Sequence, residues 1–271
     1  MRGLINRETP GGESCSHGSP RLSPVAALVH RHDRDRFQTA LFAPSGRRKA
    51  LLALYAFNYE IARVREMVSE PMLGQIRLQW WRENIAAAFE GGAVRRHAVV
   101  EALTAAIRAY GLTRAHFNRL VDAREEDLVE EPLASLDALE DYAEASSARL
   151  VYLALESLDV RDRAAEQAGF HIGIAYSLAG LLRAIPFRAR IGPALVPAEI
   201  AAAASRHLDS ARAHRRSIAR AALPALLPAI IAERSLARLK RAHYNPFDPA
   251  LTAPDTMQSW RLAIASLRKR Y

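Results

Sequence analysis

The sequence predicts an all-α, single-domain helical bundle, and three observations lead to this fold class. Ala, Leu and Arg dominate the 271 residues, and these residue types lose little conformational freedom on entering a helix. Apolar residues recur at spacings of three and four, whereas no segment alternates convincingly at the period of a strand. Half of the residues are hydrophobic, which is enough for a substantial core.

Gly, Pro and Ser divide the chain into elements. Residues 1–23 are rich in all three and lack apolar periodicity, so we expect a disordered N-terminal tail before a domain over 24–271. Ser45 is the expected N-cap of a long helix ending near residue 67, and Pro224 and Pro228 predict a late start or a bend in the penultimate helix. The predicted helices cover approximately 24–33, 34–43, 45–67, 72–90, 95–110, 114–129, 136–158, 162–184, 198–220, 222–242 and 254–270.

The net charge of +9 suggests an anionic partner. The basic residues are spread along the chain and are not interleaved with aromatic residues, so we expect no nucleic acid and favour an anionic small molecule or a membrane surface. Cys15 is the single cysteine, which excludes an internal disulfide and fits a reducing compartment. We expect a cytoplasmic protein, peripheral to the inner membrane, or a mitochondrial one if the chain is eukaryotic.

Two early stretches place polar groups on predicted helices. In ALYAFNYEIARVRE (53–66), helical spacing brings Tyr55, Asn58, Tyr59, Ala62 and Glu66 close to one face, which Arg63 flanks. In GQIRLQWWREN (74–84), Gln79 and Arg82 share a face, and the two adjacent tryptophans cannot both point to the same side of the core. Both stretches are also compatible with ordinary core helices whose polar groups are satisfied by neighbours.

Two later stretches add acids and a long apolar helix. Asp122 and Glu126 in LVDAREEDL lie one turn apart, a spacing that suits either a divalent cation or a solvated face. HIGIAYSLAGLLRAIPF (171–187) is almost entirely small or apolar and includes Tyr176, Gly180 and Arg183. It could line a cavity for an apolar, anionic ligand, or it could be the central helix of a bundle.

These stretches, in this order, resemble the squalene/phytoene synthase family. The resemblance rests on ALYAF, on LQWWRE, on LVDAREEDL, on Tyr142 at the start of the next helix and on LVPAEI at 195–200, and it covers nearly everything after residue 30. It implies an isoprenoid-synthase bundle that condenses two prenyl diphosphates. It also implies Mg²⁺ ions held by two aspartate-rich motifs on facing helices.

The chain departs from that family at the acids. Where the first motif has aspartates, this sequence has Ala62 and Arg63, and only Glu66 keeps a carboxylate. In the second motif Arg183 survives, but Ala184 stands where an aspartate follows it. One glutamate beside arginines cannot hold a magnesium cluster, because those cations would repel the ions. We therefore expect no metal and no other cofactor.

LYAFNYEIARVRE, GQIRLQWWRENI, LRAIPF and SWRLAIASLRKRY resemble a divergent branch of the family, which includes a phytoene-synthase-like mitochondrial complex I assembly factor. This resemblance implies a pseudoenzyme that assists respiratory assembly. Arg63, Arg65 and Arg183 could then neutralise an anionic lipid, a diphosphate or a partner carboxylate directly.

Two alternatives remain open. An active prenyltransferase could use Mg²⁺ on relocated acids, either Glu66 with Glu70 or Asp122 with Glu126. An apolar cavity could instead carry an isoprenoid or a quinone. The basic stretch 206–220 is either a contact with an acidic membrane surface or a solvated helix face.

Overall fold

The computed structural model describes residues 22–129, 135–187, 195–213, 215–251, 253 and 255–271, and it contains no strand within these ranges. The α-helices are α1 (Pro24–His32), α2 (Arg34–Ala40), α3 (Ser45–Ala62), α4 (Val64–Met67), α5 (Pro71–Glu90), α6 (Ala98–Tyr110), α7 (Arg114–Glu126), α8 (Leu136–Ala143), α9 (Arg149–Ser157), α10 (Arg163–Ala184), α11 (Pro197–Ala213), α12 (Leu223–Leu226), α13 (Pro228–Arg241) and α14 (Gln258–Leu267). The predicted all-α class is confirmed. The tail lies outside the described residues up to residue 21 and stays a prediction.

α10 is the central helix of the bundle. Its side chains pack mainly against α11, α13, α9 and the π-helical turn Glu144–Ala148, which joins α8 to α9. Small residues allow this packing: a Cβ at Gly173 would lie 2.6 Å from the Ala148 backbone nitrogen, a distance that real Cβ atoms essentially never show. The apolar stretch around residues 171–187 therefore has the structural role that the sequence left open, and it also borders a cleft.

α3 forms the second wall of the core. Leu51, Leu54 and Phe57 are fully buried, and the Phe57 ring packs edge-on against Trp81 and Phe117. Trp81 is buried, whereas the adjacent Trp80 is only partly buried. The two indoles thus differ in their environment, as their adjacency in one helix predicts.

Several predicted boundaries are wrong. Pro44 is the N-cap of α3, with no side-chain cap, and Ser45 is the first helical residue. The helix expected to reach residue 67 breaks at Arg63, whose ψ of −5° leaves the helical range and separates α3 from α4. By contrast, the bend predicted from Pro224 and Pro228 is confirmed, because Pro228 cannot donate a backbone hydrogen bond and starts α13 anew after α12.

Other ends differ by a few residues. α6 begins at Ala98, α11 ends at Ala213 and α14 begins at Gln258, so each is shorter than its apolar pattern suggests. Within the described ranges, no helix combines the length and the apolar character needed to cross a bilayer.

Candidate functional site

The inward face of α3 carries Tyr55 and Asn58, as the helical spacing predicts. Both side chains are buried, and the Asn58 Oδ1 finds no hydrogen-bond donor among the described residues. Burial raises the pKa of the Tyr55 phenol to about 12, against the opposing effect of the Arg36 guanidinium. At neutral pH this phenol stays protonated, so it can donate a hydrogen bond but cannot act as a base.

Arg36 of α2 links α3 to α10. Its guanidinium donates to Asp33 at 2.9 Å and lies 4.7 Å from the centroid of the Tyr176 ring and 5.9 Å from that of Tyr55. Burial alone would lower the pKa of Arg36, but the Asp33 carboxylate opposes that effect and the pKa is raised. A permanent positive charge therefore lies between the two helices, where it opposes a second cation.

Asp35 joins three helices near the C-terminal end of α10. Its Oδ2 accepts from Arg183 at 3.1 Å and from the Tyr176 hydroxyl at 3.3 Å. Its Oδ1 accepts from the Gln258 amide of α14 at 2.8 Å. Burial is the main cause that raises the pKa of Tyr176, and the nearby aspartates add to it. The arginine retained from the family's second motif is thus paired with a carboxylate in α2.

Arg82 of α5 neutralises part of the acidic segment of α7. It reaches Asp122 at 2.6 Å and Glu125 at 2.8 Å. Glu126 is exposed one turn further along α7. Asp122 is therefore already paired with a guanidinium on the side where its spacing to Glu126 allowed a divalent cation.

Tyr142 completes a second arginine–carboxylate cluster. Arg124 pairs with Asp127 at 3.1 Å and donates to the Tyr142 hydroxyl at 2.5 Å, while that hydroxyl donates to Asp127 at 3.0 Å. The Arg36 charge acts on the pKa of Arg124, so the two clusters are close enough to interact. Across the described ranges, no group of three or more His, Cys, Asp or Glu side chains could hold a metal ion.

Three other candidates on and after α3 lie toward its C-terminal end. Tyr59 is partly buried and stacks on His32 at 4.4 Å, and Ala62 is also partly buried. Arg63 lies 3.6 Å from Glu60 and its Nε is 2.8 Å from the Met67 sulfur. Arg63 is therefore in contact with one side chain of α3 and one of α4.

Two candidates face solvent. Glu66 is exposed. Gln79 is also exposed and donates weakly to Glu83 at 3.5 Å, so it is more accessible to solvent than Arg82, with which it is predicted to share a helix face. Their spacing from buried residues is helical, but the helix turns these side chains away from the core.

The last two candidates lie on α10. Gly180 and Ala184 are partly buried, and a Cβ at Gly180 would meet nothing within 4 Å. Open space therefore remains beside Gly180. The structure joins Tyr55, Tyr176 and Arg183 through Arg36 and Asp35, whereas Gly180 and Ala184 point to a neighbouring side of the helix.

A cleft of about 490 Å³ opens between α2, α10, α13 and α14. This volume is in the range of small-ligand sites. Five arginines and two aspartates line it and give a formal net charge of +3: Arg34, Arg183, Arg234, Arg238, Arg261, Asp35 and Asp255. Its apolar walls consist of Ala179, Leu182, Ile230, Ile231, Leu236, Leu239 and Leu251. The arrangement suits an anionic group attached to an apolar body.

Much of that charge also organises the cleft. Arg261 donates to both Asp255 oxygens at 2.6 Å, and Arg238 donates to the backbone carbonyls of Ala250 and Ala253. Sequence reasoning named Arg183 but missed Arg34, Arg234, Arg238 and Arg261. Their signal is weak, because they come from separate helices in an arginine-rich chain and only the fold brings them together.

Comparisons with known proteins agree with the fold. Residues 29–204 match the squalene/phytoene synthase family. A solved structure described as a dehydrosqualene synthase in complex with ligand superposes with a TM-score of 0.73 and 16% identity, covering 90% of this chain and 94% of that one. The chain belongs to the squalene/phytoene synthase family and has its all-α isoprenoid-synthase fold.

Within the family, the similarity to an assembly factor extends over more of the chain than the similarity to a synthase. Mouse (Mus musculus) NADH dehydrogenase (ubiquinone) complex I, assembly factor 6 is 30% identical over 271 residues, covering 90% of this chain and 81% of the mouse protein. Presqualene diphosphate synthase of Rhodopseudomonas palustris is 26% identical over 158 residues, covering 58% of this chain and 56% of the enzyme. The predicted resemblance to the assembly-factor branch is confirmed.

Proposed function

We propose that this chain is a non-catalytic member of its family that assists the assembly of a respiratory NADH:quinone oxidoreductase. The extended similarity to the mouse assembly factor supports this role. We place the protein in the cytoplasm, or in the mitochondrion if the chain is eukaryotic, peripheral to the inner membrane.

The pairing of Asp35 and Asp122 with arginines carries the non-catalytic part of the proposal. Asp35 pairs with Arg183, and Asp122 pairs with Arg82. A magnesium cluster needs several free carboxylate oxygens, and each of these carboxylates already binds a guanidinium. Ala62 and Ala184 supply no replacement ligand. The same pairing weakens the alternative of a prenyltransferase that uses Asp122 as a relocated acid.

The role in assembly is tested by deleting the gene in the source organism. We expect loss of the mature complex on blue-native gels, with other respiratory complexes unchanged, and recovery when the wild-type gene is returned. Normal amounts of active complex in the deletion strain would contradict the proposal.

The non-catalytic state is tested separately with purified protein. Incubation with farnesyl or geranylgeranyl diphosphate and Mg²⁺ should release no pyrophosphate above a protein-free control. Magnesium-dependent release would show that the chain is a prenyltransferase, whatever the outcome of the deletion.

The ligand of the cleft is proposed to be an isoprenoid or lipid with an anionic head. Arginines can bind such a head directly and without metal, while the Leu and Ile walls cover its apolar part. Farnesyl diphosphate without Mg²⁺ should raise the melting temperature of the wild type. Arg183→Gln or Arg34→Gln should reduce this rise, whereas Arg215→Gln, outside the cleft, should not. An equal rise in all four proteins would contradict the assignment.

A further inference from the structure

α14 has two apolar faces, and only one of them is covered. Leu262 and Ala265 are buried inside the bundle. Four large apolar side chains on the other side are exposed to between 46% and 75%: Met257, Trp260, Ile264 and Leu267. At about 100° per residue Trp260, Ile264 and Leu267 span about 60° of the helix, centred about 160° from the buried pair, and Met257 is the residue just before the helix. We call these four residues the outer stripe.

An exposed apolar stripe of this kind indicates a contact surface for another molecule or a membrane. Single exposed apolar residues are ordinary, but four on one helix face mark a contact surface. A helix that is apolar on opposite faces is expected to be buried on both. Within the described residues nothing packs over the outer stripe.

The charged side chains of residues 256–271 have one sign. Residues 256–271 contain four cationic side chains, Arg261, Arg268, Lys269 and Arg270, and no acidic side chain. Asp255, the acid just before them, is held by Arg261 and Arg234. Arg268, Lys269 and Arg270 are exposed at the end of the helix. Charge complementarity therefore favours a negatively charged binding partner for this surface.

The end of the helix is held in place. Lys269 has a φ of +51°, and the Arg270 amide donates to the Ala265 carbonyl at 2.8 Å, which closes the helix with a Schellman-type turn. Tyr271 is buried, and its hydroxyl donates to the Ala211 carbonyl at 3.2 Å. Arg212 donates to the Tyr271 carbonyl at 3.0 Å. The stripe and the basic end are thus fixed on the bundle before any partner binds.

We propose that the outer stripe and the basic end of α14 dock the protein on a bilayer that contains acidic phospholipids. A tryptophan with aliphatic neighbours suits the boundary between headgroups and acyl chains, and arginine and lysine beside it suit anionic headgroups. This surface differs from the basic stretch 206–220, whose described part lacks large exposed apolar side chains. The cleft lies beside the same helix, since Gln258, Ser259 and Arg261 line it.

The test is co-sedimentation of the full chain with vesicles. Wild-type protein should bind vesicles of phosphatidylcholine and phosphatidylglycerol in equal parts, and should bind phosphatidylcholine alone much less. Arg268→Gln with Arg270→Gln should weaken binding roughly 25-fold, since each cation near an acidic surface contributes roughly fivefold. Trp260→Ser with Ile264→Ser should weaken it roughly tenfold or more.

Two matched controls separate this surface from general stickiness and charge. Met72→Ser with Ile76→Ser removes two exposed apolar side chains from α5, and Arg215→Gln with Arg216→Gln removes two exposed cations outside α14. Neither control should change binding by more than about twofold. All substituted residues are exposed, so circular dichroism and melting temperature should match the wild type.

Tryptophan fluorescence gives a second readout. Trp260 is 66% exposed, whereas Trp80 and Trp81 pack into the bundle. Brominated acyl chains should quench the wild type, and Trp260→Phe should abolish that quenching while binding persists. Three results would each overturn the proposal. The first two are equal binding of the wild type to both vesicle types and full binding by the α14 variants. The third is that the protein binds no vesicles but sediments as a dimer, which Trp260→Ser dissociates.

Discussion

Two glycines of α10 should respond to alanine in opposite directions. At Gly173 the new Cβ would lie 2.6 Å from the Ala148 nitrogen and 2.9 Å from its Cβ, and the obstacle is mainly backbone. At Gly180 a Cβ would meet nothing within 4 Å. The same chemical change in one helix thus tests whether close approach of the π-helical turn constrains the central helix.

The magnitudes follow from these distances. Alanine favours a helix over glycine by about 1 kcal/mol, so Gly180→Ala should raise the free energy of unfolding by roughly that amount. At Gly173 the same gain is opposed by separation of the packed backbones, because atoms at optimal contact are about 3.5–4.0 Å apart. Overpacking of a core costs about 1–3 kcal/mol, and more where backbone must move. We expect Gly173→Ala to lower the free energy of unfolding by about 2 kcal/mol.

Urea unfolding followed by circular dichroism measures both changes in the free energy of unfolding. In thermal unfolding, the melting temperature should rise by about 2 °C for Gly180→Ala and fall by about 4 °C or more for Gly173→Ala. Gly173→Ser should be at least as destabilising as the alanine variant. If Gly173→Ala is as stable as the wild type, the close contact with Ala148 does not limit the packing of α10, and the reasoning is refuted.

Three further outcomes are expected. Burial lowers the pKa of His171 and His207, so these side chains take up protons at a higher pH in the unfolded chain than in the folded one. The folded state should therefore lose stability as the pH drops through about 6.5. His171→Gln with His207→Gln should reduce the dependence of the melting temperature on pH, measured from pH 8 to 5. Added Mg²⁺ should leave the melting temperature unchanged, whereas a clear rise would reveal a metal site that the described residues do not show. Arg82→Leu should lower the free energy of unfolding in urea by about 1 kcal/mol or less, because the carboxylates that Arg82 pairs with are half-exposed. Adding Asp122→Asn to this variant should recover part of the lost free energy. A further loss after the second substitution would contradict the pairing.

Local sequence signals predicted the helices well and their ends less well. Helical periodicity predicts α5 and α10 because their apolar spacing continues to a clear stop at Gly91 and at Pro186. The break at Arg63 has no such signal, since neither glycine nor proline is present there. The contacts of Arg63 with Glu60 and Met67 mark that boundary in the structure, and the apolar pattern does not predict them.

The candidate site was predictable where one helix presents several of its members. Tyr55 and Asn58 share a face of α3, and Tyr176 and Arg183 lie near one another on α10. Their partners Asp35 and Arg36 were not found, because α2 is short and its contacts with α10 span about 140 residues of sequence. The arginines of the cleft were missed for the same reason.

The loss of acids from both motifs explains why restoring a single acid should not restore metal chemistry. Ala184→Asp would return one carboxylate to α10, and Ala62→Asp would return one to the end of α3. Either change alone leaves the facing motif without acids, whereas a magnesium cluster needs several carboxylates. Recovery of magnesium binding would require acids in both motifs, and at α3 also the removal of Arg63, whose charge opposes a second cation. A chain that has changed on both counts is better suited to hold an anion directly than to hold it through a metal.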